Sequence, residues 1–378
     1  MLRKIIFWSH LITGLIAGLL VLVLCLTGAI LAFELQIVEY AERDARARRP
    51  AAEAELLPPE QIVAAAKAAA SGKINTLEWF ADPAMPVRVM TDQRTVVLLN
   101  GYTGEVLSHG AVGLRDFMRW TTALHTNLTT GPVGSMFVDW ANVAFVFIIV
   151  SGLWIWWPRV WRWTALRNSM ALRLDLKGKA RDWNWHNAAG FWCLLPLLFM
   201  AGTGIVLSFR SADQWWRSFG GSKVLGPPQP ATKTSASSAE TPAAWPQWLQ
   251  LVQRQHPGWR SIMVFGGGLP NKDGVIALAL NRGTARQTPW TTHVRIDARS
   301  GRIIEERGWG TGDGSARARS IARLGHSGEF FGNWGQFFAL IACLAGVLLV
   351  YTGFALSWRR FFLRGPRSGV SRRAIDAR

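Results

Sequence analysis

Four of the seven histidines lie in or beside long apolar runs and recur in a fixed context. Two of them read His10-x3-Gly14-x12-Thr27-Gly28-x4-Phe33 and His186-x3-Gly190-x12-Thr203-Gly204-x4-Phe209, at identical spacing. The other two read His125-x5-Gly131-x2-Gly134-x17-Gly152-x4-Trp157 and His326-x5-Gly332-x2-Gly335-x17-Gly353-x4-Trp358, again without a gap. Neutral imidazole is a good iron ligand, and an axial histidine on each side of a haem gives a coordinatively closed, electron-transferring iron. Gly14 falls one turn from His10 on the same helix face, and Gly190 stands in the same relation to His186. A missing side chain there lets a flat macrocycle lie against the backbone. A lone intramembrane histidine is more often an interhelical hydrogen-bonding group, and glycine in a span more often marks close packing. Four histidines matched in pairs favour ligation. Zinc fits less well, since two histidines at one level without a nearby cysteine or carboxylate fall short of four ligands. His109, His256 and His293 read as surface residues.

Four apolar runs, 11–33, 136–157, 191–209 and 337–358, are long enough to carry these motifs across a bilayer. About 20 helical residues cross the ~30 Å of hydrocarbon. Only 17% of the 378 residues are charged, 49% are hydrophobic, and there are 21 tryptophans. That composition excludes a disordered or ordinary soluble chain. Arg3 and Lys4 precede the first run, but its length exceeds the apolar stretch of roughly 7–15 residues in a signal peptide, so it reads as an uncleaved span. The three cysteines (Cys25, Cys193, Cys343) are far apart in apolar sequence and read as packed thiols. Asp139 is the one acid well inside a span's limits, near the interface, where a hydrated structural role and a functional one weigh equally.

The net charge of +18 invites a nucleic-acid reading, but its distribution is topological. Segments 1–9, 158–185 and 359–378 carry 16 Lys/Arg against 3 acids, whereas segment 34–120 carries 10 against 12. Lys and Arg concentrate on the cytoplasmic side, so both termini and the middle loop are expected there, and the two long inserts in the periplasm. No nucleic-acid partner is expected. Tryptophans 154, 156, 157, 161, 163, 183 and 185 read as a cytoplasmic interface belt.

The chain therefore divides into span one (1–33), a first insert (34–120), span two (121–158), a cytoplasmic loop (159–185), span three (186–209), a second insert (210–325), span four (326–358) and a basic tail (359–378). The expected fold is an α-helical membrane protein of four transmembrane helices, arranged as two parallel span–module–span repeats with a periplasmic α+β module in each. In the first insert 58–70 reads as a helix, with strands at 87–90 and 95–99 and a turn at Asn100-Gly101-Tyr102-Thr103-Gly104. In the second, 245–255 reads as a helix, 274–280 and 293–297 as strands, and Asp297-Ala298-Arg299-Ser300-Gly301 as the matching turn. Segment 226–244 is a Pro/Ser/Ala-rich linker. Its module is basic and rich in tryptophan (215, 216, 245, 248, 259, 290, 309), a surface that could cradle a chelate, with Arg319 and Arg323 nearest His326; solvated basic residues and core tryptophans explain any one of these better. Equal depth and pseudo-symmetry pair His10 with His186 towards the cytoplasm and His125 with His326 towards the periplasm. Dividing the bilayer between two cofactors avoids a single long tunnelling step.

The His-plus-Gly spans and the N-x-x-T-G-type turn that ends each insert resemble the PepSY-associated transmembrane-helix family, and more narrowly the bacterial inner-membrane ferric-siderophore reductases of the ferrioxamine type. The resemblance implies PepSY-like modules, two haem b groups held by His10, His125, His186 and His326, and reduction of a ferric-siderophore in the periplasm that releases Fe(II) for uptake. No flavin or nicotinamide motif is present, so the electron donor would be a quinol, another protein or a diffusible reductant. Other readings are an inner-membrane transporter for siderophore or iron, which predicts more polar spans than Asp139 and Asn142 provide; a module that docks a periplasmic peptidase, which leaves the histidines unexplained; and a haem protein with a quinone or other acceptor.

Overall fold

A computed structural model describes residues 1–48, 54–69, 72–158, 162–220, 252–266, 271, 273–283, 288–310 and 314–362. The linker 226–244, residues 245–251 of the helix expected over 245–255, Trp161 and the tail from 363 lie outside the described residues, while 252–255 is helical as expected. The chain forms two compact units: Met1–Ile30, Ala123–Ser208 and Phe337 onward make one, and Leu31–Thr122 with Phe209–Gln336 the other.

The first unit is helical. Helix α1 (Leu2–Leu31) carries the first apolar run without a break. Its Ile5, Ile12, Ile16, Leu19, Leu26 and Ile30 are exposed at spacings of three, four and seven, one continuous apolar face. An apolar face of that length is stable against lipid and costly against water. Helix α4 (Val112–Asn127), of which the residues from Ala123 belong to this unit, leads through positive-φ residues Leu128, Thr129 and Gly131 into α5 (Pro132–Trp156). Then come α6 (Trp163–Met170), α7 (Gly178–Trp192), α8 (Leu194–Ser208) and, at the far end of the chain, α11 (Gly332–Phe361). Ile149 of α5, Leu197 and Ala201 of α8 and Ala342 of α11 make a shared core. All three cysteines are free; Cys25 and Cys343 are buried as packed thiols would be, and Cys193 is half-buried.

Among the described residues three helices are long and apolar enough to cross a membrane; the third apolar run in the sequence takes a different form. It is split between α7 and α8, which bend by 66° at Cys193 and pass as one span only together. Pro196 explains the break, because it lacks the N–H that would bond the Trp192 carbonyl and its ring collides with that carbonyl. With 15 residues, α8 alone rises about 22 Å, short of the hydrocarbon thickness.

The second unit is built on a sheet. Helix α2 (Glu34–Ala41) and helix α3 (Pro59–Ala69) precede strands β1 (Ile74–Phe80), β2 (Val87–Thr91), β3 (Val96–Leu99) and β4 (Val106–Ser108). From the second insert come α9 (Arg210–Ser218), β5 (Ser261–Phe265), β6 (Val275–Asn281), β7 (Thr291–Asp297), β8 (Ile303–Arg307) and α10 (Gly314–Ser327). The two inserts do not form separate sheets. Their strands make one antiparallel eight-stranded sheet, ordered β4-β3-β2-β1-β5-β6-β7-β8, joined where Leu77 faces Val264 and Glu78 faces Met263. The order is a palindrome, so each insert contributes an equivalent four-stranded meander beginning at the seam. Ile62 and Ala66 of α3, Leu77, Val89, Val264, Leu278 and Val294 of the strands, and Val252 share one core. Both expected turns form. Gly104 N–H bonds the Asn100 carbonyl and Gly301 N–H the Asp297 carbonyl, each at 2.9 Å, with both glycines at positive φ.

Candidate functional site

The helical unit brings His10 of α1 and His186 of α7 to the wall of one cavity of about 480 Å³, within the size range of roughly 300–1,000 Å³ for small-molecule sites. Gly14 and Gly190 line the same cavity. No atom lies within 4 Å of a Cβ placed on Gly14, and the nearest to one on Gly190 is Leu349 Cδ2 at 3.6 Å. The absent side chain leaves open space at Gly14, whereas a side chain at Gly190 would already touch Leu349. Most of the lining is aliphatic or aromatic, with Lys179 and Arg360 as its cations. Trp156 also lines it, and its indole N–H is buried without a hydrogen-bond partner.

Each imidazole rests on a hydroxyl–glycine pair of another helix. His10 Nδ1 lies 2.9 Å from Ser151 Oγ, and a Cβ on Gly152 would stand 3.2 Å from His10 Cε1. His186 Nδ1 lies 2.9 Å from Thr352 Oγ1, with 3.7 Å from the Gly353 position to His186 Cε1. His125 Nδ1 lies 2.8 Å from Thr27 Oγ1, and the Gly28 position is 3.4 Å from His125 Cε1. Thr27 is 17 residues beyond His10 on α1, a rise of about 25 Å, so the two histidines mark two well-separated levels of the helical unit.

The His-x5-Gly-x2-Gly motif has a backbone cause. Gly131 adopts φ 68°, ψ −136° and Gly332 adopts φ 61°, ψ −148°. That region is open almost only to glycine. A Cβ on Gly134 would overlap the Asn127 carbonyl, and one on Gly335 the Gly328 carbonyl. The motif therefore turns the chain after each histidine-bearing helix. His326 sits at the end of α10 and belongs to the sheet-bearing unit.

Other sequence expectations meet mixed outcomes. His109 and His293 are exposed, but His256 is 5% exposed. It ends the turn after Val252, where Arg282 donates to its Nδ1 at 2.8 Å and Glu306 lies 3.6 Å from its Nε2. This buried imidazole accepts one hydrogen bond and has a carboxylate near its other nitrogen, and no local pattern in the sequence marks it. Arg319 pairs with Asp213 at 2.6 Å. Trp216 donates to the Ala318 carbonyl, Trp259 packs on the sheet core, and Trp215 and Trp290 are exposed. Sequence reading missed the roles of Ser151 and Thr352, although a Ser/Thr-Gly dipeptide recurs at 27–28, 151–152, 203–204 and 352–353. It also missed Asp182, fully buried on α7 between Arg181 at 2.8 Å and Arg359 at 3.2 Å. Among the described residues no three His, Cys, Asp or Glu side chains converge as a metal-ion site. Of the described His, Cys, Asp and Glu side chains, the cavity is lined by the two imidazoles alone.

A search of curated proteins returned no match. The profile of the PepSY-associated TM region family matches residues 7–360, nearly the full length. The chain is therefore a membrane protein with several apolar helices and belongs to the PepSY-associated TM region family.

Proposed function

We propose that the chain is a di-haem b oxidoreductase of the bacterial inner membrane that carries electrons from the cytoplasmic side and reduces ferric-siderophores in the periplasm. The observation that carries this reading is the convergence of His10 and His186 on one largely apolar cavity that Gly14 and Gly190 also line, with open space in front of Gly14. The residues present fit a haem. His10 and His186 would hold its iron, the glycine positions 14 and 190 would let a flat ring approach, and Lys179 and Arg360 would offer cations to its two propionates. The unpartnered Trp156 N–H offers a further donor. A bound haem b supplies a one-electron iron couple.

The protein's own contribution is position and environment. The largely aliphatic and aromatic lining surrounds the two imidazoles with a low-polarity wall. His125 marks a second level about 25 Å along α1 from the first. The sequence repeat assigns His326 as its axial partner, and the spacing divides the bilayer into two shorter transfers. The Lys/Arg bias supports a cytoplasmic position for both termini and the 159–185 loop and a periplasmic one for the two inserts. The ferric-siderophore substrate rests on the resemblance of the sequence motifs. Its reduction takes one electron per iron, after which the hard oxygen ligands hold Fe(II) far less tightly. The donor is a quinol, a protein or a diffusible reductant.

The test is a dithionite-reduced minus oxidised visible spectrum of purified protein, followed by addition of a ferric-siderophore under anaerobic conditions. The reading expects a b-type α band that reoxidises on addition, and loss of the same haem from His10→Ala and His186→Ala. A b-type spectrum that stays reduced would remove the siderophore assignment. Protein that stays colourless when expressed with ample haem would remove the whole reading.

A further inference from the structure

The three hydroxyls that face the imidazoles have already committed their protons. Ser151 Oγ lies 2.6 Å from the Phe147 carbonyl and 3.1 Å from that of Ile148, both on its own helix. Thr352 Oγ1 lies 2.7 Å from the Leu348 carbonyl and 3.2 Å from Leu349. Thr27 Oγ1 lies 2.6 Å from the Val23 carbonyl and 3.2 Å from Leu24. A hydroxyl has one proton and two lone pairs. With the proton donated back along the helix, the oxygen can only accept from the imidazole. Nδ1 must then carry the hydrogen, and Nε2 keeps the lone pair.

We propose that Ser151, Thr352 and Thr27 are positioning residues that fix His10, His186 and His125 as Nδ1–H tautomers and present each Nε2 to iron. The proposal rests on the haem reading above and extends it to residues that never touch the metal. The same arrangement occurs three times at two levels. Thr203, which holds Thr27's place in the second repeat, directs its hydroxyl to the Phe199 and Met200 carbonyls in the same way. The glycine after each hydroxyl completes the device, because the imidazole edge lies where its Cβ would crowd or touch it.

The choice of partner has an electronic consequence. The hydrogen bond accepted from Nδ1–H makes the imidazole a stronger donor, and stronger donation favours ferric over ferrous iron. A carboxylate in the same place would pull further on the proton and bring a charge into an apolar interior. A neutral hydroxyl orients the ring with a milder effect on the potential. A purely structural role, in which the hydroxyl only joins two helices, predicts changes in stability but none in tautomer or potential.

The experiment uses the full chain in detergent. Redox titration and low-temperature EPR are recorded for wild type, Ser151→Ala, Ser151→Thr, Thr352→Val, Thr352→Ser and Thr27→Val. The expected result is an upward shift in the midpoint of one haem in Ser151→Ala and Thr352→Val, with a changed low-spin EPR signal. Ser151→Thr and Thr352→Ser should restore both, and Thr27→Val should shift the other haem. Unmoved midpoints in variants that keep both haems would overturn the proposal. Where a variant loses haem, histidine ¹⁵N shifts in haem-free wild type decide instead: Nδ1–H at His10, His125 and His186 supports the proposal and Nε2–H overturns it. That measurement needs no haem, so its failure is distinct from a failure of the haem reading, which shows as a colourless protein.

Discussion

Gly152 and Gly353 occupy equivalent places in the two repeats, yet the structure sets them different tolerances. A Cβ on Gly152 would lie 3.2 Å from His10 Cε1 and 3.8 Å from its Nδ1. Carbon atoms are most favourably placed at about 3.5–4.0 Å, so the ring must retreat by several tenths of an ångström. It cannot do so freely, because its Nδ1 is held 2.9 Å from Ser151, the neighbour of the substituted residue. Overpacking of this kind costs about 1–3 kcal/mol. On Gly353 the same carbon would lie 3.7 Å from His186 Cε1, an ordinary contact. Both sites are helical, and replacing glycine by alanine in a helix interior stabilises by about 0.5–1 kcal/mol in either place. That term cancels in the comparison. Gly353→Ala should therefore be neutral or stabilising, and Gly152→Ala about 1–3 kcal/mol worse than it. Thermal unfolding of the two detergent-solubilised variants, read with their reduced spectra, makes the comparison. Equal shifts, or a larger loss for Gly353→Ala, would refute the claim that these glycines make room for the imidazoles.

Three further outcomes follow from the geometry. Gly134→Ala and Gly335→Ala each drive a Cβ into a backbone carbonyl that cannot move aside, so both should cost about 3 kcal/mol or more; monodisperse yield on size-exclusion chromatography reads the loss, while Gly113→Ala, with open space around it, serves as the tolerated control. Asp182→Ala leaves Arg181 and Arg359 facing each other without their carboxylate; both guanidiniums are about a third exposed, so thermal unfolding should report roughly 2 kcal/mol lost. Glu42 is held below the usual carboxylate range: burial alone would raise it, but the two Arg115 contacts at 2.7 Å and the Ala111 N–H outweigh burial. Its stabilisation is full above the unfolded carboxylate pKa and fades as pH falls through the lower folded value, so wild type should lose Tm more steeply below about pH 4.5 than Glu42→Gln.

The histidines, their glycines and the duplication were legible because chemically distinctive residues recur at fixed spacing. The turns at Asn100–Gly104 and Asp297–Gly301 were legible for a local reason: an Asx side chain caps the turn and a glycine takes positive φ. The seam between β1 and β5 was not. It pairs residues more than 180 positions apart, and β1 buries Leu77, Glu78 and Trp79 consecutively, which hides the alternation of a half-buried strand. The bend at Cys193 was hidden by hydropathy, which is continuous across it; Pro196 was the available signal. Hydroxyls in an apolar helix can bond their own backbone, so the histidine partners of Ser151 and Thr352 emerge only when neighbouring helices are placed.

The central claim is that two levels of paired imidazoles hold two haems. The most direct measurement is the haem-to-protein ratio by pyridine haemochrome in wild type and in the four single variants His10→Ala, His186→Ala, His125→Ala and His326→Ala. The account predicts two haem b per wild-type chain and one per chain in every variant. The residual spectrum should be common to the 10 and 186 variants, and a second spectrum common to the 125 and 326 variants. No haem in wild type, or a residual haem that groups 10 with 125, would contradict it.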